Sequence, residues 1–173
     1  MKKYRGWIIL LMIFLICAAG IWAAFKVTEK VTAEYPSMGD TVSYPVNQVD
    51  GFELTISQPS FSMFRGYTID WKVTTNSQDV YYFILDGEAP NTFKYLERKV
   101  DGQWHRLGYT QDNFPFTTGE YALGGGEGES LEGSIVQKYD YYGTRLEAGT
   151  YRVVLEMQSK DGMPYYLAQE FEI

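Results

Sequence analysis

The chain of 173 residues has one cysteine and one histidine, and these two shortages exclude much of the chemistry that proteins perform. Cys17 lies in an apolar run near the N-terminus, so the rest of the chain has no thiol for a disulfide bond, a nucleophile or a cysteine metal site. His105 follows Trp104 in a predicted strand, a setting more typical of a surface or packing residue than of a general base or a metal ligand. We therefore expect the fold to be stabilised by packing alone.

The common catalytic and metal-binding motifs are missing as well. The sequence has no Gly-x-Ser-x-Gly nucleophile turn, no His-Glu-x-x-His pair and no P-loop lysine. The glycine-rich run at residues 124–129 contains Glu127 and Glu129, whose charges would repel phosphate, and with Glu132 they lack the ligand spacing of an EF-hand. We predict that the protein is not an enzyme and has no catalytic residue, no cofactor and no metal site. Its ligand-binding residues stay unassigned.

Basic residues are few relative to acidic ones. The formal net charge is −7, and residues 26–173 hold all 22 acidic residues but only 12 of the 15 basic ones, which gives this part a net charge of −10. Such a charge argues against a nucleic-acid partner, because the phosphate groups would be repelled. It is compatible with cationic partners or with solubility alone.

One apolar run is long. Nineteen uncharged residues, 7–25, follow a basic start at residues 1–6. A helix of that length would span the roughly 30 Å hydrocarbon core of a bilayer, and the positive-inside rule would keep Lys2, Lys3 and Arg5 in the cytoplasm. We therefore predict a cytoplasmic start at 1–6 and a transmembrane signal anchor at 7–25. The protein would be a single-pass protein of the cell membrane with its C-terminal domain on the extracytoplasmic side.

Two other interpretations of the apolar run remain open. A signal peptidase could cleave near the small residues Ala18-Ala19-Gly20 and release the domain. A lipoprotein signal would use Cys17, but Ile16 stands where such signals want a small residue. Hydrophobicity continues past the cleavage point to Phe25, which favours the uncleaved anchor. All three interpretations place the remaining chain outside the cytoplasm.

The rest of the chain divides into a linker and one domain. Residues 26–48 contain Pro36 and Pro45 and show no sustained periodicity, so we interpret them as a stalk. Residues 49–173 alternate apolar and polar side chains in short runs separated by Gly, Asn and Asp, which indicates one all-β domain. The predicted strands cover residues 52–57, 67–74, 80–85, 93–100, 104–107, 131–136, 151–158 and 165–173. The glycine-rich run predicts a mobile loop.

The dipeptide Asp101-Gly102 predicts a hairpin with a two-residue turn. Both turn positions need positive φ, which Gly and Asp tolerate best. The turn would pair Lys99 with Trp104, Glu97 with Arg106, and Leu96 with Leu107. Opposite charges and apolar side chains then face each other across the two strands, which favours this register.

Three sequence blocks resemble a family of bacterial immunoglobulin-like domains found in extracytoplasmic, Gram-positive-type surface proteins. They are LERKVDGQW at 96–104, YGTRLEAGTYRV at 142–153 and YYLAQEFEI at 165–173. Family members show a Leu-Glu-x-x-x-x-Gly-x-Trp hairpin and a Leu-x-x-Gly-x-Tyr-Arg entry to the penultimate strand. The match covers residues 49–173 and departs from the family at the expanded loop 124–129. The resemblance implies an immunoglobulin-like two-sheet sandwich after the transmembrane helix, and it implies no catalytic activity.

Within the second block, Leu146 can plug the end of the sandwich and Gly149 can take a tight turn. The strand that follows alternates, so its inward side chains would be Tyr151, Val153, Leu155 and Met157.

Aromatic side chains are abundant, with 4 Trp, 15 Tyr and 10 Phe. Tyrosines occur as adjacent pairs at 81–82, 141–142 and 165–166, and neighbours in a strand face opposite sides. One tyrosine of each strand pair would therefore point outward, where it can stack on a sugar or anchor a protein partner. The ordinary use of tyrosine on a half-buried sheet face is the other explanation.

These observations predict a non-catalytic accessory or interaction module anchored in the membrane at a bacterial cell surface, with a protein or cell-wall glycan as its partner. A carbohydrate-binding module is the first alternative, and it would require a row of coplanar exposed aromatic rings. A carboxylate-dependent hydrolase is the second, and it would require two acidic side chains close together in a cleft.

Overall fold

A computed structural model describes residues 11–23, 33–86, 93–110, 118–126 and 128–173. Contacts divide the chain into two compact units, Met1–Ala33 and Glu34–Ile173. The second unit contains every strand that the structure describes.

The helix of the first unit corrects the predicted membrane anchor. Its described part covers residues 11–23, which at 1.5 Å per residue is about 20 Å, against roughly 30 Å for the hydrocarbon core. In the described part of the chain, no helix is both long and apolar enough to cross a membrane. The prediction of a transmembrane helix at 7–25, and with it the single-pass location in the cell membrane, is therefore wrong on this structure. Residues 7–10 and 24–25 of the predicted span lie outside the described residues.

Eleven strands are described in the second unit. They are β1 (Met38–Val42), β2 (Phe52–Ile56), β3 (Ser60–Ser62), β4 (Gly66–Thr75), β5 (Tyr81–Asp86), β6 (Lys94–Val100), β7 (Gln103–Leu107), β8 (Thr118–Leu123), β9 (Glu129–Val136), β10 (Thr150–Gln158) and β11 (Pro164–Glu172). The prediction of a β-rich unit is confirmed.

The strands form two antiparallel sheets. The larger sheet has the order β1-β7-β6-β10-β5-β8, with β11 also paired to β10. The smaller sheet has the order β2-β4-β3, with β9 on β4. This agrees with the predicted two-sheet arrangement, while membership of the immunoglobulin-like family stays a prediction.

One hydrophobic core joins the two sheets. Ile69 and Val73 of the smaller sheet and Leu96 and Phe83 of the larger one are completely buried in the same cluster. The inward-facing residues predicted for β10 are confirmed, because each of them is at most 1% exposed: Tyr151, Val153, Leu155 and Met157. Arg152 and Val154, on the opposite face of β10, are buried as well. Another part of the chain must therefore cover the outer face of the larger sheet.

The predicted β6–β7 hairpin is confirmed. Its turn residues Asp101 and Gly102 have φ values of 50° and 81°, as a two-residue turn of this kind requires. Glu97 lies opposite Arg106 and Lys99 lies opposite Trp104. The long side chains of both pairs therefore lie on one face of the larger sheet.

Three strands were not expected. β1 lies within the predicted stalk 26–48 and pairs with β7, so this part of the segment belongs to the folded unit. β3 is only three residues long, and β8 lies where the sequence shows little alternation. Isolated short edge strands have weak sequence patterns, because their stability comes from the neighbouring strand.

The glycine-rich run is attached to the turn after β4 rather than free of it. The amide of Gly125 donates to the Ser77 carbonyl over 3.0 Å, and the amide of Gly128 donates to the Thr75 carbonyl over 3.2 Å. Gly124 has a φ of 116°, and a Cβ at this position would lie 2.1 Å from the Asp79 carbonyl oxygen. Glycine is needed there for close backbone approach.

Gly133 of β9 provides the first test of the core. A Cβ at this position would lie 2.6 Å from Cζ2 of the buried Trp71 ring. We expect Gly133→Ala to lower the free energy of unfolding by about 1–3 kcal/mol, the usual cost of overpacking. Gly126→Ala is the matched control, because nothing lies within 4 Å of its Cβ position. Equal stability of the two variants in urea unfolding would contradict the packing of Trp71 against Gly133.

Candidate functional site

The outer face of the larger sheet is covered by a short crossing segment, residues 43–47. It follows β1 and reaches β11, where the Asn47 side chain binds the Ala168 backbone with two hydrogen bonds of 2.8 and 2.9 Å. The backbone N–H of Asn47 also donates to the backbone carbonyl of Tyr166 over 2.7 Å. Asn47 has a φ of 56°, a left-handed conformation that asparagine tolerates better than most residues. The crossing segment therefore has a fixed end on the far side of the sheet.

A buried carboxylate lies beneath the crossing segment. Glu97 of β6 is 0% exposed, and Nε and Nη2 of Arg152 on β10 both contact its Oε2 over 2.7 Å. The hydroxyl of Tyr44 in the crossing segment donates to its Oε1. Both carboxylate oxygens are thus occupied, and hydrogen bonds between charged partners are shorter and stronger than those between neutral groups.

Arg106 of β7 extends this network towards solvent. Its Nε lies 3.8 Å from Glu97 Oε1, close enough for charge attraction but too long for a hydrogen bond, and its Nη2 donates to the Tyr44 hydroxyl over 3.2 Å. The guanidinium carbon lies 3.6 Å from the centre of the Tyr95 ring. Cation–π contact and hydrogen bonding together fix the plane of the guanidinium.

The neighbouring aromatic rings are fixed in the same way. Tyr44 stacks on Tyr166 of β11 with ring centres 4.0 Å apart and planes 19° apart. The Tyr95 hydroxyl donates to Oε2 of Glu156 over 2.7 Å. On the other side of the network, the Arg152 guanidinium lies 4.3 Å from the centre of the Trp104 ring.

A groove of about 670 Å³, which we call the tyrosine groove, lies beside the crossing segment above this network. Its volume is within the range typical of small-molecule sites, about 300–1,000 Å³. The groove is lined by Gly39, Asp40, Val42, Tyr44, Tyr95, Arg106, Leu107, Gly108, Tyr109, Glu156 and Tyr166. Tyrosine is thus the commonest side chain in its wall.

Burial raises the pKa of all four groove tyrosines above the ordinary value of 10.0. For Tyr44 and Tyr95, donation to Glu97 and to Glu156 raises it further, because the neutral hydroxyl is the form that can donate to a carboxylate. Burial also raises the pKa of Tyr142, which lies in the core below Tyr109. The groove therefore keeps its hydroxyl groups protonated well into the alkaline range.

The structure places the residues singled out in the sequence in several different locations. His105 is half-buried on β7, between β1 and β6, with Nδ1 3.3 Å from the Gly39 carbonyl oxygen. Tyr165 packs against the core while Tyr166 lies in the groove. Tyr142 is fully buried, and its neighbour Tyr141 has a φ of 63° in the turn after β9.

A second groove of about 660 Å³ lies in the smaller sheet, and Asp70, Trp71 and Glu132 are among its lining residues. Among the described residues, no group of three or more His, Cys, Asp or Glu side chains could hold a metal ion. Glu132 pairs with Lys72 over 3.9 Å on the exposed outer face of the smaller sheet. The turn after β3 exposes Met63 and Phe64, the latter to 79%.

Comparison with known proteins adds little. No protein-family model matches the chain, and no curated protein sequence matches it. The crystal structure of a Bordetella pertussis protein given the name ApaA is similar at 16% sequence identity, covering 75% of this chain and 96% of that protein, with a TM-score of 0.40. A likeness at that level supports no statement about fold or function.

The Glu97 network can be tested by its stability. Glu97→Gln would leave the 5% exposed Arg152 without its countercharge, so we expect the free energy of unfolding to fall by about 3 kcal/mol or more. Glu132→Gln is the matched control, because its pair is exposed and worth about 0–1 kcal/mol. Chemical denaturation of both variants makes the comparison, and a loss below about 1 kcal/mol for Glu97→Gln would contradict the buried network.

The raised tyrosine pKa values predict instability at high pH. The unfolded chain ionises its tyrosines near pH 10, whereas the buried ones stay neutral in the folded state. Their contribution to stability is therefore complete below about pH 10 and is lost as the pH rises above it. Titration of phenolate absorbance should show part of the 15 tyrosines ionising only together with unfolding. A single transition near pH 10 for every tyrosine of the folded protein would exclude the burial described above.

Proposed function

We propose that the folded unit, residues 34–173, is a non-catalytic binding module that holds its ligand in the tyrosine groove. The observation that carries the proposal is the arrangement of four tyrosines around Arg106, whose side chain is fixed by Tyr44 and Tyr95. Rigid aromatic side chains and arginine are the groups that most often dominate binding energy. A site whose side chains are fixed beforehand also loses less entropy on binding.

The same arrangement favours binding over catalysis. Glu97 is fully buried with both oxygens occupied, so it has no free oxygen to act on a substrate. His105 contacts the Gly39 carbonyl, and among the described residues that line the groove there is no serine, threonine or cysteine to act as a nucleophile. The groups that do line the groove can accept hydrogen bonds, donate hydrogen bonds and stack on a ring of the ligand, as the groups of a binding site do.

The free energy expected of the buried Glu97–Arg152 pair also supports a binding role for the groove. A buried Arg–carboxylate pair is often no more stabilising than apolar side chains of the same volume, because both charges lose their hydration. Its effect in this protein is positional, since it holds Tyr44 over β6 and Arg106 against Tyr95. We infer that the network is present to shape the groove.

A ligand screen of the full-length protein tests the proposal. The panel contains extended peptides, including proline-rich ones, and neutral and acidic oligosaccharides, with binding measured by calorimetry. We expect at least one class to bind, and Tyr166→Ala to weaken it about tenfold or more, as expected when an anchoring aromatic is truncated.

Tyr139→Ala and Phe64→Ala are the controls, because these side chains are 61% and 79% exposed and lie outside the groove. Both should bind as the unchanged protein does. Binding that is lost in Phe64→Ala and kept in Tyr166→Ala would move the site to the turn after β3. No binding by any member of the panel would count against the proposal.

A further inference from the structure

The ligand class follows from the polar groups of the groove, and this inference rests on the function proposed above. We infer that the tyrosine groove binds a neutral glycan, that is, a chain of sugar rings without carboxylate, phosphate or amino groups.

Charge is the first argument. Three of the described residues that line the groove are charged, the cationic Arg106 and the anionic Asp40 and Glu156. An anionic ligand would meet two carboxylates, and a cationic ligand would meet a guanidinium already stacked on Tyr95. Removing a charged ligand from water without a dominant opposite charge is unfavourable. A neutral ligand avoids this cost.

Open hydrogen-bonding positions are the second argument. Within the described part of the chain, Arg106 uses only Nη2 in a hydrogen bond, so Nη1 remains as a donor. Glu156 uses Oε2 for the Tyr95 hydroxyl, so Oε1 remains as an acceptor. A donor of fixed direction and an ionised acceptor therefore line one groove. A hydroxyl group donates and accepts at the same time, and neighbouring hydroxyls on a sugar ring can engage both.

The aromatic wall is the third argument. The ring of an aromatic side chain has a negative face, which attracts the weakly positive C–H groups of a sugar ring. Tyr44 and Tyr166 stack face to face with ring centres 4.0 Å apart, so each ring covers one face of the other and a sugar ring would stack on an outer face of this pair. The rings are half-buried rather than a flat exposed row, so the sugar would lie in a groove instead of on a platform.

Calorimetry of the full-length protein with neutral hexasaccharides of glucose, xylose and mannose tests this inference. Arg106→Lys keeps the charge but loses the planar fork, and Glu156→Gln keeps the shape but loses the ionised acceptor. Each should weaken glycan binding about tenfold or more, since hydrogen bonds to charged groups are worth at least that factor. Because the ligand has no charge, raising the salt concentration from about 50 mM to about 500 mM should change its affinity less than twofold.

Glu132→Gln is the matched control for Glu156→Gln, because the same chemical change falls on the exposed outer face of the smaller sheet. It should leave glycan binding unchanged. Tyr166→Phe keeps the aromatic ring of the groove and removes only its hydroxyl group. Thermal melting of every variant confirms that it is folded.

The outcomes separate this inference from the function on which it rests. Binding of peptides alone, lost in Tyr166→Ala, would overturn the glycan and keep the binding module. Binding of acidic oligosaccharides alone, weakened by salt, would overturn the neutral ligand. Neutral glycan binding that Arg106→Lys and Glu156→Gln leave intact would overturn the assignment to the groove. No binding by any ligand would overturn both proposals.

Discussion

The contact between Glu97, Arg152 and Tyr44 is the interaction on which the outer face of the larger sheet depends. Glu97 is completely buried, and its two oxygens are shared between an arginine of the sheet and a tyrosine of the crossing segment. Two charges and a hydroxyl buried together must be mutually satisfied, because each would be costly alone. This requirement fixes the crossing segment over the sheet and thereby forms the wall of the tyrosine groove.

Arg106 connects this buried contact with the side chains at the groove surface. It is attracted by the same carboxylate, donates to Tyr44 and stacks on Tyr95, which in turn donates to Glu156. The groove is therefore built on strands and on one fixed segment rather than on long loops. Sites supported in this way hold their binding groups in a defined geometry before the ligand arrives.

Sequence patterns predicted the parts of the fold that depend on local chemistry. Alternation identified the inward face of β10, and Asp101-Gly102 fixed the register that places Glu97 beside Arg106. The membrane anchor was wrong because nineteen uncharged residues show only that a spanning helix is possible, while the described helix covers residues 11–23. The sequence predicted one part of the candidate site, the pairing of Glu97 with Arg106 in the hairpin. It did not predict the other part, because Tyr44 was assigned to a stalk. Its partner Glu97 is 53 residues away, and no local pattern reports such a contact.

The coupling between Tyr44 and Glu97 tests the central claim most directly, and a double-mutant cycle of Tyr44→Phe and Glu97→Gln measures it. If the hydroxyl holds the crossing segment through the buried carboxylate, the two substitutions share one interaction. The cycle should then give a coupling free energy of unfolding of about 1 kcal/mol or more. Additive effects, with a coupling within about 0.3 kcal/mol of zero, would show that the carboxylate does not hold the crossing segment.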